Sequence, residues 1–174
     1  NLQGREIFNK VLGVIGFGKI GAIVADRARG LRMNVIVHDP FVTPEQIQKA
    51  GFECVDLDTL YERADYISVH VPKLKTTVCM INKKAFDKMK PGAMVINCAR
   101  GGIINEADLY DAIKSGKVAG AALDVFETEP PGQNPLLELD RLVCTPHLGA
   151  STLEAQANLA IAVAEQIIDY LQNG

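Results

Sequence analysis

The chain has 174 residues with a formal net charge of −3 at pH 7, and 48% of its residues are hydrophobic. This length suits one domain with a core of its own, and scattered Lys and Arg in a weakly acidic chain argue against nucleic acid as a partner. No apolar run approaches the ~20 residues of a membrane-spanning helix, so no membrane partner is expected. The closest two of the four cysteines, Cys79 and Cys98, are 19 residues apart, which predicts no metal site and favours reduced thiols in a cytoplasmic protein.

Short apolar runs of the kind that form buried β-strands recur along the whole chain. We predict strands over residues 11–16, 34–38, 66–71, 93–98, 118–124 and 142–145, with a weaker strand at 53–55. Several of these runs are almost continuously apolar, which is typical of strands that are covered on both faces of a sheet.

Helical patterns lie between the predicted strands. Residues 19–30 carry apolar side chains at helical spacing and end at a glycine. Asn105 is a predicted N-cap with Asp108 three residues later, and Gly116 ends that helix.

A longer helix is predicted near the end of the chain. Ser151 and Glu154 form a predicted capping box at its start. Its apolar face comprises Ala160, Val163, Ala164, Ile167, Ile168 and Leu171. The alternation of strands and helices with short loops predicts an α/β fold with a parallel sheet and helices on both faces.

The stretch "VIGFGKIG" contains a G-x-G-x-x-G pattern formed by Gly16, Gly18 and Gly21. Because it follows a predicted strand and opens a predicted helix, it favours a Rossmann-type, doubly wound sheet that binds a dinucleotide. Gly16 would allow a tight turn, Gly18 the approach of a pyrophosphate, and Gly21 the close packing of helix on strand. Backbone N–H groups near Lys19 and Ile20 would then face the anion.

An acidic side chain, Asp39, follows the second predicted strand, 18 residues after Gly21. A carboxylate at this position can accept hydrogen bonds from both ribose hydroxyls and would repel a 2′-phosphate, which favours NAD over NADP. Two alternatives stay open on these residues alone. One is a structural glycine turn with Asp39 capping a loop, and the other is a methyltransferase that binds S-adenosylmethionine through a similar loop and acid.

The chain has three histidines, so few side chains are candidates for proton transfer. His38 is expected to line an adenosine pocket or to face solvent, and His70 is expected to be a partnered core histidine. His147 lies in "CTPHLGAST", after the last predicted strand and before a helix. Because ligands of parallel sheets bind beyond the carboxyl ends of the strands, His147 is the candidate proton-transfer residue.

Arg100 and Glu129 follow two neighbouring predicted strands, so these side chains and His147 are expected at one edge of the sheet. Arginine can hold a carboxylate through two parallel hydrogen bonds. Histidine has an unperturbed pKa of about 6.5 and can accept a hydroxyl proton, and a neighbouring carboxylate would orient its ring. Together these types predict hydride transfer between a 2-hydroxy acid and a nicotinamide, although each alone equally suits a structural role. Gly101 and Gly102 are expected to keep side chains away from the nicotinamide and the substrate.

Six stretches carry a resemblance to a known family: "GFGKIG", "HDP", "VHVP", "INCARGGIINEADL", "GAALDVFETEP" and "TPHLGAST". In this order they resemble the NAD-binding domain of the D-2-hydroxyacid dehydrogenase family. The resemblance spans residues 11–171, nearly the whole chain.

The resemblance implies three catalytic residues: Arg100 would bind the substrate carboxylate and carbonyl, and Glu129 would pair with the catalytic His147. It implies NAD as the cofactor, with Asp124 holding the carboxamide. Val71 departs from many relatives, which have Thr there. The full implied set of cofactor-binding residues is Gly16, Gly18, Lys19, Ile20, Asp39, Val71, Cys98, Ala99, Arg100, Asp124, His147, Leu148, Gly149 and Ala150.

We expect residues 1–174 to form one NAD-binding domain, in which residues 1–10 are a connector from a substrate-binding domain that precedes it in the family. The ending "TPHLGASTLEAQ" is similar to that of the phosphoglycerate dehydrogenase branch. This implies a homo-oligomer that oxidises 3-phosphoglycerate to 3-phosphohydroxypyruvate in serine biosynthesis. A reductase of glyoxylate, hydroxypyruvate or another 2-keto acid is the alternative, as is an NAD-sensing interaction module similar to corepressors of this family.

Overall fold

The structure, a computed structural model, describes residues 4–173. Strands and helices alternate along these residues, as the sequence predicts. In chain order they are β1 (Val11–Ile15), α1 (Lys19–Gly30), β2 (Asn34–His38), α2 (Pro44–Lys49), β3 (Glu53–Cys54), α3 (Leu57–Arg63), β4 (Tyr66–Val69), α4 (Lys83–Lys88), β5 (Ala93–Asn97), α5 (Glu106–Lys114), β6 (Val118–Leu123), a 3₁₀ turn (Pro135–Glu138), β7 (Leu142–Cys144) and α6 (Leu153–Asn173).

All seven strands pair in parallel in one sheet of order β3-β2-β1-β4-β5-β6-β7. From β1 the chain adds β2 and then β3 on one side. It then crosses over to place β4 on the other side of β1, and β5, β6 and β7 follow outward from there. The topological switch point therefore lies between β1 and β4, where doubly wound sheets bind their ligands. The predicted Rossmann-type sheet is confirmed.

The strands end in register at the carboxyl edge of the sheet. Ile15 lies opposite both His38 and Val69, and Asn97 lies opposite both Val69 and Leu123. As a result, the residues that follow neighbouring strands emerge side by side along one edge. We call this line of strand ends the carboxyl edge.

Side chains of successive strand residues alternate between two buried layers, as expected for a sheet packed on both faces. In β1, Leu12 and Val14 belong to a cluster that includes Ala25 of α1 and Ile47 of α2. Ile15 belongs to a second, larger cluster, whose helical members come from α3, α4 and α5 and include Leu60, Phe86 and Leu109. The central strands are thus held rigidly from both sides.

Helix starts follow the capping chemistry that the sequence predicts, with one shift. The side chain of Asn105 accepts the backbone N–H of Asp108 at 2.9 Å, as predicted for the start of α5. The prediction that Ser151 caps the last helix is wrong by one residue. The hydroxyl of Thr152 accepts the backbone N–H of Ala155 at 3.1 Å, and α6 begins at Leu153. The two hydroxyl residues are adjacent, so the sequence pattern did not distinguish them.

The last strand and the last helix are more exposed than the rest of the domain. Val143 of β7 is 67% exposed, because β7 is an edge strand that pairs with β6 alone. No residue of α6 is buried, and its predicted apolar face, including Ile167 and Ile168, is open within residues 4–173. None of the helices in this part of the chain is both long enough and apolar enough to span a membrane.

Candidate active site

The glycine loop joins β1 to α1 at the switch point. Gly16 has φ 94°, a left-handed conformation that favours glycine, and a side chain there would overlap the carbonyl of His70. A Cβ on Gly21 would overlap the carbonyl oxygen of Gly16. By contrast, a Cβ on Gly18 would meet no atom within 4 Å. Two glycines are therefore needed for close packing of the protein, and the third borders open space.

The start of α1 beyond Gly18 suits an anion. Gly18 is the N-cap residue and provides no side-chain cap, and the first turn of α1 has no acidic residue. The positive end of the helix dipole and the first backbone N–H groups are thus left to attract negative charge, such as a pyrophosphate. Ile20 is 63% exposed and Lys19 is exposed. These residues fit a dinucleotide cofactor.

Asp39 follows β2 and touches the glycine loop directly. Its Oδ2 accepts the backbone N–H of Phe17 at 2.7 Å, and its Oδ1 accepts those of Phe41 at 2.7 Å and Val42 at 3.2 Å. The predicted ribose acid therefore also holds the loop that would carry the pyrophosphate. An ionised carboxylate has about four acceptor sites, so three backbone bonds do not prevent it from accepting a ribose hydroxyl.

The two other histidines are both partnered within the fold. His38 Nδ1 lies 3.1 Å from the carbonyl oxygen of Val55, and His70 Nε2 lies 2.8 Å from the hydroxyl oxygen of Ser68. Burial lowers the pKa of His70, so its neutral form is favoured. Val71 packs beside the space that a side chain on Gly16 would occupy. It therefore borders the glycine loop, and its implied contact with the cofactor stays a prediction.

The turn after β5 is shaped by a buried amide, that of Asn97, which is 2% exposed. Its Oδ1 accepts the backbone N–H of Ala99, and its Nδ2 donates to the carbonyl oxygen of Arg100, both at 3.0 Å. The guanidinium of Arg100 is exposed, and its Nη1 donates to the carbonyl of Ala99 at 2.6 Å. A Cβ on Gly101 would overlap the carbonyl of Phe126. Gly101 was expected to keep a side chain away from the nicotinamide and the substrate. In the structure, a side chain at Gly101 is excluded by the backbone of the loop after β6 instead.

Asp124 lies at the end of β6 and organises the loop that follows β7. Its carboxylate, 5% exposed as a residue, accepts the hydroxyl of Thr145 and the backbone N–H groups of Leu148 at 2.7 Å and Gly149 at 2.9 Å. Burial by itself would raise the pKa of Asp124, but these hydrogen bonds outweigh it and hold the pKa below its ordinary value. The carboxylate is therefore ionised at neutral pH.

His147 and Glu129 form the pair that the sequence predicts, with 2.7 Å between His147 Nδ1 and Glu129 Oε2. The other oxygen of Glu129 accepts the backbone N–H of Phe126 at 3.1 Å. The hydrogen bond with His147, followed by that from Phe126, lowers the pKa of Glu129. An ionised carboxylate only accepts hydrogen bonds, so Nδ1 is the donor of this pair, and in a neutral ring Nε2 is then the acceptor.

The backbone of His147 supports the same arrangement. Its φ is 56°, in the left-handed region where a residue other than glycine is strained. The next two backbone N–H groups, which donate to Asp124, hold this turn. Backbone strain of this kind is typical of functional sites.

A cavity of about 370 Å³ opens beside the pair of His147 and Glu129. Its lining residues are Asp124, Phe126, Glu129, Pro130, Pro131, Leu137, Cys144, Thr145, Pro146 and His147.

The structure brings most of the predicted site residues to the carboxyl edge. The backbone N–H of Asp124 donates to the carbonyl of Asn97 at 3.0 Å, so the turn after β5 lies beside the end of β6. Burial, and then the charge of Asp124, raises the pKa of the Cys98 thiol. The residues that the sequence reasoning missed are Asn97, Thr145 and Phe126. A polar residue at the end of an apolar strand was the available signal for Asn97. Phe126 acts through its backbone, for which a sequence gives no signal.

This geometry, a glycine loop at the switch point and a histidine–carboxylate pair at the same edge, defines the class of oxidoreductases that use a dinucleotide. The family described as "D-isomer specific 2-hydroxyacid dehydrogenase, NAD binding domain" matches residues 1–149. D-3-phosphoglycerate dehydrogenase of Archaeoglobus fulgidus is 53% identical over 168 residues, which cover 96% of this chain and 32% of that protein. The chain belongs to this family, and its cofactor is NAD.

Solved structures agree with the assignment. A glyoxylate reductase from Paecilomyes thermophila superposes with a TM-score of 0.92 at 36% identity, over 97% of this chain and 51% of that one. The NAD-complexed D-isomer specific 2-hydroxyacid dehydrogenase of Lactobacillus delbrueckii ssp. bulgaricus superposes with a TM-score of 0.89 at 29% identity. The match covers 99% of this chain and 56% of that one. The resemblance inferred from the sequence is confirmed, and the methyltransferase alternative is excluded. The chain spans about a third of the length of the curated relative and about half of the solved chains.

Proposed function

We propose that this domain is the cofactor-binding half of an NAD-dependent D-2-hydroxyacid dehydrogenase that oxidises 3-phosphoglycerate to 3-phosphohydroxypyruvate, a step of serine biosynthesis. The observation that carries the proposal is the 2.7 Å contact between His147 and Glu129 beyond the strand ends. The turn that carries Arg100 lies beside this pair, since Gly101 packs on Phe126 and Phe126 donates to Glu129. The proposed acid-binding cation and the proposed general base thus lie at one edge.

In the proposed reaction Arg100 binds the substrate carboxylate through two parallel hydrogen bonds. Nε2 of His147 accepts the proton of the 2-hydroxyl group. The ionised Glu129 holds the ring in the required tautomer and stabilises the charge that the ring gains. NAD, when bound, supplies the hydride acceptor. In the reverse direction His147 returns its proton to the 2-keto oxygen.

The proposed cofactor site is the cradle formed by the glycine loop and the loops after β4, β5 and β7. Gly16, Gly18, Lys19 and Ile20 would receive the pyrophosphate and Asp39 the ribose. The remaining proposed contacts are the residues that line the edge from there to the histidine loop: Val71, Cys98, Ala99, Arg100, Asp124, His147, Leu148, Gly149 and Ala150. The open space over Gly18 and the lack of an acid in the first turn of α1 support this assignment.

The substrate follows from the relatives rather than from the described site. The relative from Archaeoglobus fulgidus, at 53% identity, is named D-3-phosphoglycerate dehydrogenase. The glyoxylate reductase, at 36% identity and a TM-score of 0.92, supports a second candidate in which glyoxylate or hydroxypyruvate is reduced. The same pair of residues serves both reactions, since both interconvert a 2-hydroxy acid and a 2-keto acid.

The rest of the protein is part of the proposal. We place residues 1–10 as a connector from a substrate-binding domain and the whole of residues 1–174 in one NAD-binding domain. The described cysteines Cys54, Cys79, Cys98 and Cys144 are free thiols, which supports a reducing, cytoplasmic location. The open apolar face of α6 supports a homo-oligomer or a contact with further parts of the same protein.

The test is the activity of the full-length protein with NAD⁺ or NADH against 3-phosphoglycerate, glycerate, lactate, glyoxylate and hydroxypyruvate. We expect the highest kcat/KM for 3-phosphoglycerate or its keto product, with NAD⁺ preferred over NADP⁺. A preference for glyoxylate or hydroxypyruvate would establish the second candidate. NADH binding without turnover of any acid would contradict the proposal and favour an NAD-sensing interaction module.

A further inference from the structure

Residues 127–134, the later part of the connection between β6 and the 3₁₀ turn, carry Glu129 but have little packing of their own. Residues 127–130 are exposed, and the segment has no regular secondary structure. Such a segment is expected to open easily unless hydrogen bonds hold it. The position of Glu129 relative to His147 therefore depends on its bond from Phe126 N–H and on what anchors the two ends of this segment.

Both ends are anchored to one carboxylate, that of Glu106. Its Oε1 accepts the backbone N–H of Glu127, and its Oε2 accepts the Nδ2 group of Asn134, each at 2.6 Å. The other side-chain atom of Asn134, Oδ1, accepts the backbone N–H of Leu136 at 3.0 Å, which orients the amide so that its donor faces Glu106. Hydrogen bonds to a carboxylate are among the stronger ones in proteins, since the acceptor is charged.

Glu106 is itself held firmly. It is the first residue of α5, whose N-cap is Asn105 and whose residues Leu109 and Ile113 are buried in the larger core cluster. The chain runs from Arg100 to Glu106 in six residues, so the same helix start follows the turn that carries Arg100. Glu106 therefore joins the segment of Glu129 to a fixed point next to the segment of Arg100.

We propose that Glu106 is a positioning residue for proton transfer: its carboxylate clamps both ends of residues 127–134 and thereby keeps Glu129 against His147. This inference rests on the proposed function, in which His147 is the base. Glu106 acts through Glu129 and does not touch substrate or cofactor. Its replacement should lower turnover and leave NADH binding unchanged.

The hydrogen bond that Asn134 donates to Glu106 can be reversed in direction by exchanging the two side-chain types, which provides a test. Glu106→Gln keeps one acceptor oxygen but brings an NH₂ group against either Glu127 N–H or the Asn134 amide, so one bond is lost. Asn134→Asp alone places two carboxylates against each other. In the double variant, the amide of residue 106 donates to the new carboxylate at 134, and both bonds form again. Asp also replaces Asn well as the acceptor for Leu136 N–H.

The four full-length proteins are compared by kcat, substrate KM and NADH affinity. A misplacement of ~1 Å in an active site can lower a rate about 100-fold. Each single variant releases residues 127–134 only partly, so we expect kcat to fall by less than this, about tenfold. We expect the double variant to recover to within about threefold of wild type, and NADH affinity to stay within about twofold in all four. Asp111→Asn, which neutralises an exposed charge on the same helix, is the control and should change none of these values.

Two further variants separate this inference from the proposed function. In a Glu129→Ala background, Glu106→Gln should lower kcat no further, because its route of action is already removed. Two results would overturn the positioning role. One is an equal loss of kcat from Glu106→Gln in the wild-type and Glu129→Ala backgrounds, and the other is no recovery of kcat in the variant that combines Glu106→Gln with Asn134→Asp. If His147→Ala retains turnover, the proposed function itself fails. If His147→Ala is inactive and Glu106→Gln has wild-type kcat, only the role of Glu106 is refuted.

Discussion

The carboxyl edge has two regions built in different ways. At the switch point, the glycine loop after β1 offers backbone to a ligand: Gly16 and Gly21 pack closely against the protein, and Gly18 faces open space. Beyond β5 and β6, buried or paired carboxylates hold the loops: Asp124 accepts three hydrogen bonds and Glu129 takes part in two, from backbone N–H groups and from the Thr145 and His147 side chains. The first region is a surface for a ligand, whereas the second is a network that fixes a reactive group.

Mutations in the two regions are therefore expected to change different properties of the enzyme. Changes at Gly18 should alter how tightly the cofactor binds, because the helix start there offers backbone N–H groups and open space to a ligand. Changes in the side-chain network should alter the rate of reaction, because they misplace or remove the base. Two of the three predictions below test this separation, and the third gives a reference site outside both regions.

The largest effect is expected from the side-chain region. Replacing His147 by Ala removes the proposed proton acceptor, and general acid–base catalysis contributes typically about 10²–10⁴-fold to a rate. We expect kcat of the full-length enzyme to fall within this range while the NADH dissociation constant changes less than about threefold. Steady-state kinetics and fluorescence titration measure the two quantities. A large loss of NADH affinity with an unchanged kcat would contradict the separation.

The backbone region is tested by a matched pair of glycine variants. Gly21→Ala forces a Cβ onto the carbonyl of Gly16, so we expect the free energy of unfolding to fall by about 2 kcal/mol, as for other overpacked sites. Gly18→Ala meets no protein atom, and its φ of −72° suits alanine, so stability should change by less than about 0.5 kcal/mol.

NADH affinity should nevertheless fall about tenfold in Gly18→Ala, because the methyl group occupies the space over the helix start. Thermal unfolding and NADH titration of both variants check the pair. Full NADH affinity in Gly18→Ala would show that the pyrophosphate does not lie over this residue.

The smallest effect is expected at the opposite edge of the sheet, away from both regions. Asp65 accepts the backbone N–H of Val11 at 2.8 Å and pairs with Lys90 at 3.0 Å. Burial opposes ionisation of Asp65, but the bond from Val11 and the charge of Lys90 lower its pKa. After allowance for solvent screening, Asp65→Asn should lower the free energy of unfolding by about 1 kcal/mol at pH 7.

The sign of the pH dependence follows from the lowered pKa. The unfolded value of an aspartate is about 3.9, so the stabilisation is fully present above about pH 5 and is lost as the pH falls through the lower folded value. The stability difference between wild type and Asp65→Asn should therefore vanish in acid. Asp87→Asn, at the exposed pair with Lys83, is the control and should have no measurable effect. A difference that grows below pH 4 would be inconsistent with this assignment.

The sequence predicted all seven strands because each is a short, mostly apolar run next to a turn signal. Asn34–His38 matches the predicted bounds, and the others differ by one or two residues at their ends. The short helices α2, α3 and α4 were not predicted. Six or seven residues are too few for a clear helical period, and tertiary packing of residues such as Ile47 and Phe86 stabilises them.

For the site, residue types and their order along the strands were enough to predict that His147 and Glu129 lie at one edge, and the resemblance to the family implied that they pair. Their partners could not be predicted in the same way. The bond from Phe126 N–H to Glu129 and the contact of Gly101 with the Phe126 carbonyl use backbone atoms, which every residue has. Such contacts depend on how β5 and β6 are aligned, and a single sequence does not encode this alignment in any one residue.

The carboxylate of Asp124 has a consequence for how quickly a ligand can associate. Three of its donors, the Thr145 hydroxyl and the N–H groups of Leu148 and Gly149, belong to the protein itself and hold the histidine loop in place. The conformational entropy of ordering the histidine loop is therefore lost when the chain folds, and not again when a ligand arrives. Association at this edge should then be limited by diffusion and orientation, with only a small entropic penalty from the loop.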